Sequence, residues 1–415
     1  MRMVVVRTHR VLTPFQDPVG KAQVGLRTLE EHQRWLAAHS GLTWHEAASF
    51  DDVESPEPAL VLADHTFLTR RLLHSWLKLA QARDDVTQVA LPRSRFVELY
   101  GQHQDLGTTP DGGATYDAWF FPKGVSRGGF RAAREGAQPV FPQFKEIVFR
   151  FPVPRNILAR ADFPHPITTT VALHIKHWVH VLWVNNLWPQ IELVERVTSR
   201  PLSTVMRLLM SLRPGVNATK WAVARNFSYV ARNVDIHPTA CVELSVLGEG
   251  CRVGPYALVR GSVLGKGVHV EERANVCYSV LNDGDFVSKN STVVSCVGYP
   301  DADLCINGMQ YCVAGRNAAL TSLVRPMDMK YRDDVTVRID GRTVAIKELM
   351  IGSCFGHGTF VGPDILIAPG REIPNNSVIA PPPGAVLTKV SPEAAKGGVT
   401  YVDAGTLKPL PSGKE

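Results

Sequence analysis

The sequence predicts an α/β domain followed by a parallel β-helix. Three observations carry this. Branched aliphatics recur in a seventeen-residue frame from Ile236. They recur again in a six-residue frame from Phe355. The first half has neither frame, and instead alternates strand-like and helix-like segments.

The seventeen-residue frame is read by columns. Its lines begin at Ile236, Val253, Val270 and Val287. Further columns read Val242, Val259, Val276, Val293 and then Val246, Val263, Val280, Val297. Leu247, Leu264 and Leu281 follow, then Gly298; Ser245, Ser262, Ser279 and Cys296 precede. Each line is one coil with three short strands, and stacking places Val over Val. A single coil cannot bury its own interior, so the array must stack to be stable. Gly250, Gly267 and the Asn282–Asp283–Gly284 run fall at the corners, where a left-handed backbone is needed.

The six-residue frame is Phe355, Val361, Ile367, Ile373 and Ile379, which predicts more of the same coil. Between the two frames, at about 299–350, VTVRIDGRTVAI predicts a β-hairpin turning at Asp340–Gly341. The segment is expected to be an insertion projecting from the helix.

In the first half, Val4–Val6 predicts a strand. Thr28-Leu-Glu-Glu31 is a capping box that opens a helix ending near Gly41. ALVLAD ends a buried strand on Asp64; a helix over about 68–83 and the strand VTQVAL follow. The alternation predicts a mostly parallel sheet, with its site at the carboxyl ends of the strands, where Asp64 stands. The expected domains are 1–190, a helical linker 191–233, the β-helix 234–390 and a tail 391–415.

Composition limits the function classes. The net charge is +6 over 415 residues, with no basic cluster interleaved with aromatics, so nucleic-acid binding is not indicated. No uncharged stretch reaches the roughly 18 residues that span a bilayer. The seven cysteines include no CxxC and predict reduced packing residues in a cytoplasmic protein.

The coils resemble the left-handed β-helix of hexapeptide acyltransferases. The form with SVLGEGC and SVLGKGV resembles the C-terminal β-helix of nucleoside-diphosphate-sugar pyrophosphorylases and of the bifunctional N-acetylglucosamine-1-phosphate uridylyltransferase family. Pro18-Val-Gly-Lys-Ala22 and Val184-Asn185-Asn186 are similar to segments of that uridylyltransferase family. The resemblance implies a nucleotidyltransferase-like N-terminal domain, a homotrimer, nucleotide-sugar substrates, and Asp64 with Asn185 as ligands of Mg²⁺. It also implies Lys21 in ligand binding, a coenzyme A-type acyl donor, and a histidine base in the β-helix. The chain departs from that pattern after its first strand. Arg7-Thr-His-Arg-Val-Leu-Thr-Pro-Phe has no glycine to cradle a triphosphate, so the domain reads as degenerate.

The candidate bases are His357, between two glycines at a coil re-entry, and His269, which faces outward between Val268 and Val270. His237 reads as a coil entry. Arg371 is a candidate phosphate grip, against the alternative of a surface arginine. His174, His177 and His180 share neither a helical face nor a strand face, so they read as packing or supporting histidines; His177 is kept as a binding candidate. Trp178, Trp183 and Trp188 read as an interdomain core. Three functions stay open: acyl transfer to a sugar nucleotide or related acceptor, a non-catalytic scaffold or regulator, and nucleotidyl transfer by a rewired site.

Overall fold

The structure is a computed structural model. It describes residues 1–152, 162–211, 220–305, 307–330, 332–382, 384, 386–394 and 400–409. Parts of the expected linker (212–219) and tail (395–399 and 410–415) therefore lie outside the described residues.

The N-terminal sheet has the strand order Gln138–Val140, Thr87–Leu91, Ala114–Phe121, Ala59–Ala63, Arg2–Val6, Thr43–Ala47, with Gly107–Thr108 paired to Ala114–Phe121. The outer pairs are parallel, but Ala114–Phe121 runs against both of its neighbours. The sheet is thus mixed rather than mostly parallel. Leu29–His39 packs on one face and opens with the capping box: Glu31 N–H donates to Thr28 Oγ1, and Thr28 N–H donates to the Glu31 carboxylate. The long helix Trp178–Ser199 starts inside the expected first domain and buries Trp178, Trp183 and Trp188. No helix among the described residues is long and apolar enough to cross a membrane.

The C-terminal region folds into three ladders of parallel strands. Two ladders have eight strands each and one has five. Val242, Val259, Val276 and Val293 stack in register, as do Ile236, Val253, Val270 and Val287. One corner column holds left-handed backbone at Asn233, Gly250, Gly267, Gly284, Asp301, Asn317, Gly358 and Asn376. Gly, Asn and Asp, the residues that most readily take that conformation, occupy this column, whereas the other corners also hold left-handed Leu244, Tyr256, Arg273 and Tyr278. At another corner each serine hydroxyl accepts the N–H one coil on: Ser262 N–H to Ser245, Ser279 N–H to Ser262, Cys296 N–H to Ser279. The seven cysteines are free thiols.

The helix does not stop at residue 299. Asp303–Leu304, Met309–Gln310, Val313–Ala314 and Ala319–Leu320 continue its ladders. One coil here drops a residue, Val297 pairing with Val313, and this breaks the seventeen-residue frame without breaking the stack. The insertion is therefore narrower than expected, lying between Arg325–Pro326 and Cys354–Phe355 and carrying the hairpin Val335–Ile339/Arg342–Ile346.

Neighbouring residues of one ladder enter two different cores. Leu247, Leu264, Leu281, Ala314 and Phe355 fill the coil interior. Val246, Val263, Val280, Val297, Val313 and Cys354 point the other way and join the core of the N-terminal domain, with Trp178, Trp183 and Trp188. The insertion joins that core through Val335, Val337, Ile339, Ile346 and Ile351.

Two predictions follow from this packing. Val276 is fully buried between Val259 and Val293. Val276→Asp should place an unpaired charge there, at a cost of several kcal/mol, and prevent soluble expression; a soluble variant with the parent melting curve would refute the register. Glu348 is also buried and accepts a hydrogen bond from Trp183 Nε1. Burial pushes its carboxyl from the ordinary 4.5 up to about 8. The folded chain thus holds this proton between those two values while the unfolded chain releases it. Stability falls as pH rises through that window. Glu348→Gln, which stays neutral, should flatten this fall by an amount on the order of a few kcal/mol at pH 9. Equal pH dependence of denaturant midpoints in parent and variant would contradict it.

Candidate functional site

The clearest site lies at the carboxyl ends of Arg2–Val6 and Ala59–Ala63. A cleft of about 390 Å³ opens there, lined by Arg7, His9, Arg10, Pro18, Gly20, Lys21, Glu30 and Asp64. Asp64 follows its strand directly and is nearly buried. Its two oxygens accept the Thr8 hydroxyl at 2.6 Å and the Thr8 N–H at 3.1 Å. The glycine-free loop after the first strand is therefore pinned to the second strand, and it turns at His9 with left-handed backbone.

Arg7 is engaged on the cleft floor, with Glu46 at 2.8 Å and Glu30 at 3.3 Å. Arg34 completes the network on the same two carboxylates. Burial opposes the charge of Glu30, but hydrogen bonds from Arg34 and Arg7 outweigh it and hold the carboxyl below its ordinary range. Lys21 and His9 are exposed and have no hydrogen-bond or ion-pair partner among the described residues, although the Lys21 charge acts on Glu30. Arg10 reaches Asp340 at the hairpin turn, 3.4 Å away, so the insertion borders the cleft. The acidic lining is already satisfied, whereas Lys21, His9 and part of Arg10 are left to face a ligand.

Behind Asp64 lies a second cluster. His65 Nε2 donates to Asp117 Oδ2 at 3.0 Å, and His174 Nε2 accepts the Asp117 N–H at 2.8 Å. His174 Nδ1 donates to the Gln104 carbonyl at 3.1 Å. Burial brings the His174 imidazole down to about 3, so it is neutral. Burial opposes the charge of Asp117 too, but the hydrogen bond from His65 and the nearby charges bring its carboxyl down to about 2.

The other expected site residues serve the junction between domains. Asn185 is buried in the long helix. Its oxygen accepts the Gly25 N–H, and its amide donates to the Gln23 and Val181 carbonyls. Gly25 itself has left-handed backbone, and a Cβ there would collide with Trp188. In the expected Asp64–Asn185 pair for Mg²⁺, the Asp64 oxygens accept from Thr8 and the Asn185 oxygen accepts from Gly25. His177 caps the long helix by accepting the Val179 N–H and binds Glu372 at 2.6 Å. Arg371 donates to the Pro369 and Thr336 carbonyls, which ties the insertion to the coil. His180 accepts the Lys176 N–H and bonds the Gln102 carbonyl, so the three closely spaced histidines go to three separate places.

His357 is the largest departure from expectation. Its Nδ1 accepts the Arg316 N–H at 2.8 Å, leaving Nε2–H to donate to Asp17 at 3.2 Å. Its ring stacks on Phe15 and meets Tyr299 edge-on. Asp17 also pairs with Arg316 at 2.8 Å. Burial, then the Arg316 charge, lowers the imidazole pKa, so the ring is neutral with both nitrogens occupied. It has no free lone pair to act as a base. His269 is half-buried, edge-on to Phe286 at 5.3 Å, with no hydrogen-bond partner among the described residues.

Sequence reasoning did not single out His9, Arg10, Asp17, His65, Asp117, Arg316, Glu348 or Glu372. Only His65 carried a usable signal, as the residue next to a strand-end Asp. The others come together across long sequence separations that no local pattern encodes.

The pin predicts that His357→Ala and Asp17→Asn each lower stability by about 1–3 kcal/mol. Both should loosen the 13–25 segment towards limited proteolysis. Unchanged denaturant midpoints and digestion patterns would show that the pin does not hold the domains.

No family model matches the chain, and no curated protein matches it. Among solved structures, it is similar to a mutant of GDP-perosamine N-acetyl transferase from Caulobacter crescentus in complex with CoA and GDP-perosamine. The identity is 16%, with a TM-score of 0.16, covering 36% of this chain and 51% of that one. The chain thus matches about half the length of that structure.

Proposed function

We propose that this protein binds a phosphorylated sugar of the nucleotide-sugar class in the α/β cleft, and that it acts as an acyltransferase on such a ligand. The observation that carries the binding reading is the cleft itself. It lies at the carboxyl ends of two parallel strands, its acids are already paired, and Lys21, His9 and Arg10 face the opening. An anionic ligand suits that residual charge. For acyl transfer, His269 is the candidate base: its ring has no hydrogen-bond partner among the described residues. Because it lies on another ladder of the coil than the one facing the cleft, the amine or hydroxyl acceptor would meet it there, in a cleft shared with a neighbouring subunit. A coenzyme A-type thioester would supply the acyl group. The acceptor would attack the thioester carbonyl, the thiolate would leave, and the acceptor's proton would pass to His269. The assembly in this reading is a homotrimer. It would cover apolar residues that one chain leaves exposed, among them Leu202, Val205, Leu209, Tyr256 and Tyr278.

A non-catalytic binding protein is the second reading. It is favoured by the engagement of Asp64 with Thr8 and of His357 with Asp17 and Arg316. Both readings share the cleft.

Calorimetry on the purified chain with UDP-, GDP- and dTDP-linked sugars tests the shared part. Binding is expected for at least one of them. Lys21→Ala and Arg10→Ala should each weaken it about tenfold, the loss of one charge-assisted hydrogen bond. No binding at millimolar ligand, or affinities that ignore both substitutions, would remove the cleft from consideration. Mass spectrometry of mixtures with acetyl-CoA then separates the two readings. Acylated product that falls about 10²–10⁴-fold in His269→Ala supports the enzyme, and its absence with a bound nucleotide sugar supports the binding protein.

A further inference from the structure

We infer that His65, Asp117 and His174 form a binding site for a divalent transition-metal cation of the Zn²⁺ class, set directly behind the cleft. The site does not depend on what the cleft binds.

Three elements bring the ligands together. His65 follows the strand Ala59–Ala63 by two residues. Asp117 lies on Ala114–Phe121, the antiparallel neighbour of that strand. His174 ends Ala172–His174, which pairs with Thr66–Leu68 and places His174 opposite Thr66. The main chain locks this arrangement. Ile175 N–H donates to the His65 carbonyl, and the Thr66 hydroxyl donates to the Asp117 carbonyl. One ligand atom from each side chain lies within 4.8 Å of the others. Zinc bonds of about 2.0–2.1 Å at tetrahedral angles set ligand atoms roughly 3.3–3.5 Å apart. Small side-chain rotations therefore close the site.

The ring of His65 gives an independent pointer to a cation. Its Nε2 faces Asp117 Oδ2 at 3.0 Å, and its Nδ1 faces Asp64 Oδ1 at 3.9 Å. A neutral imidazole has one N–H and cannot serve two carboxylates. The structure leaves Nδ1 buried without a partner. A cation on Nε2 resolves this, because the ring proton then resides on Nδ1 and points towards Asp64. Closing that 3.9 Å gap to hydrogen-bond distance would give the carboxylate–histidine–metal arrangement that commonly supports such sites. His174 already has its support: Nδ1–H donates to the Gln104 carbonyl, which leaves Nε2 as the lone-pair nitrogen. Metal binding would replace the hydrogen bond that Nε2 now accepts from the Asp117 N–H. Two imidazoles and one carboxylate suit Zn²⁺ better than Mg²⁺, which prefers oxygen ligands. The two histidines are buried, but the Asp117 side chain is 33% exposed, so a fourth position opens to solvent on its side. Three protein ligands and one open position are the pattern of a reactive rather than a purely structural zinc.

Elemental analysis of the full chain after equilibration with Zn²⁺ and removal of excess should give one ion per chain. Co²⁺ substitution should give visible bands without the near-ultraviolet thiolate transitions that the free cysteines would produce. Asp117→Asn and His65→Gln should each weaken Zn²⁺ binding at least about 100-fold, beyond the 10–100-fold typical of supporting residues. Lys21→Ala should leave Zn²⁺ binding unchanged, which separates this site from the cleft ligand. Should the ligand variants misfold, the cobalt spectrum of the parent chain still decides. The inference is overturned by no uptake of either metal at micromolar concentration, by full stoichiometry in both ligand variants, or by thiolate bands in the cobalt spectrum.

Discussion

The structure depends on one ladder of the β-helix being buried on both faces. Its inward residues, Leu247, Leu264, Leu281, Ala314 and Phe355, fill the coil. Its outward residues, Val246, Val263, Val280, Val297 and Val313, form a floor on which the N-terminal domain rests. A repeat array is rigid along its length because each coil is held by its neighbours. The α/β domain therefore docks on a surface whose spacing it cannot alter. The long helix Trp178–Ser199 lies at this seam with its tryptophans buried, and the segment around Asp17–Gly25 lies there too.

Such a seam buries polar groups as well as apolar ones, and each must find a partner. This explains where many of the chemically suggestive residues went. Gln23 donates its N–H to the Tyr299 hydroxyl and its amide to Asn282. Trp178 and His177 share Glu372, and Asn375 donates to the Phe15 carbonyl. His357, Asn185 and Arg371 are engaged in the same way. A histidine or asparagine at such a junction looks like a catalytic group in sequence, since both uses need a precisely placed polar atom. Among the described residues, Lys21 and His9 in the cleft and His269 on another ladder of the coil have no hydrogen-bond or ion-pair partner.

The β-helix was legible in the sequence because each coil repeats the same local requirements. Valine stacks on valine, and Gly, Asn or Asp holds one of the left-handed corners. Where one coil lost a residue after Val297, the seventeen-residue frame failed although the ladders ran on, so the insertion seemed wider than it is. In the α/β domain, the capping box at Thr28 and the strand ending at Asp64 were legible for the same local reason. The reversed strand Ala114–Phe121 was not, because strand direction is fixed by how the chain returns to the sheet, not by its own pattern.

The sequence by itself determined the repeat, its register, its corners and the strand that delivers Asp64, because each depends on contacts at a fixed, short spacing along the chain. Tertiary structure decided which polar residues remain available. Asp17 meets His357, His65 meets Asp117, and Glu372 meets His177 across separations of 340, 52 and 195 residues. Whether a histidine is a pin, a ligand or a base is set by the partner facing each ring nitrogen, and only the folded packing of the two domains supplies those partners.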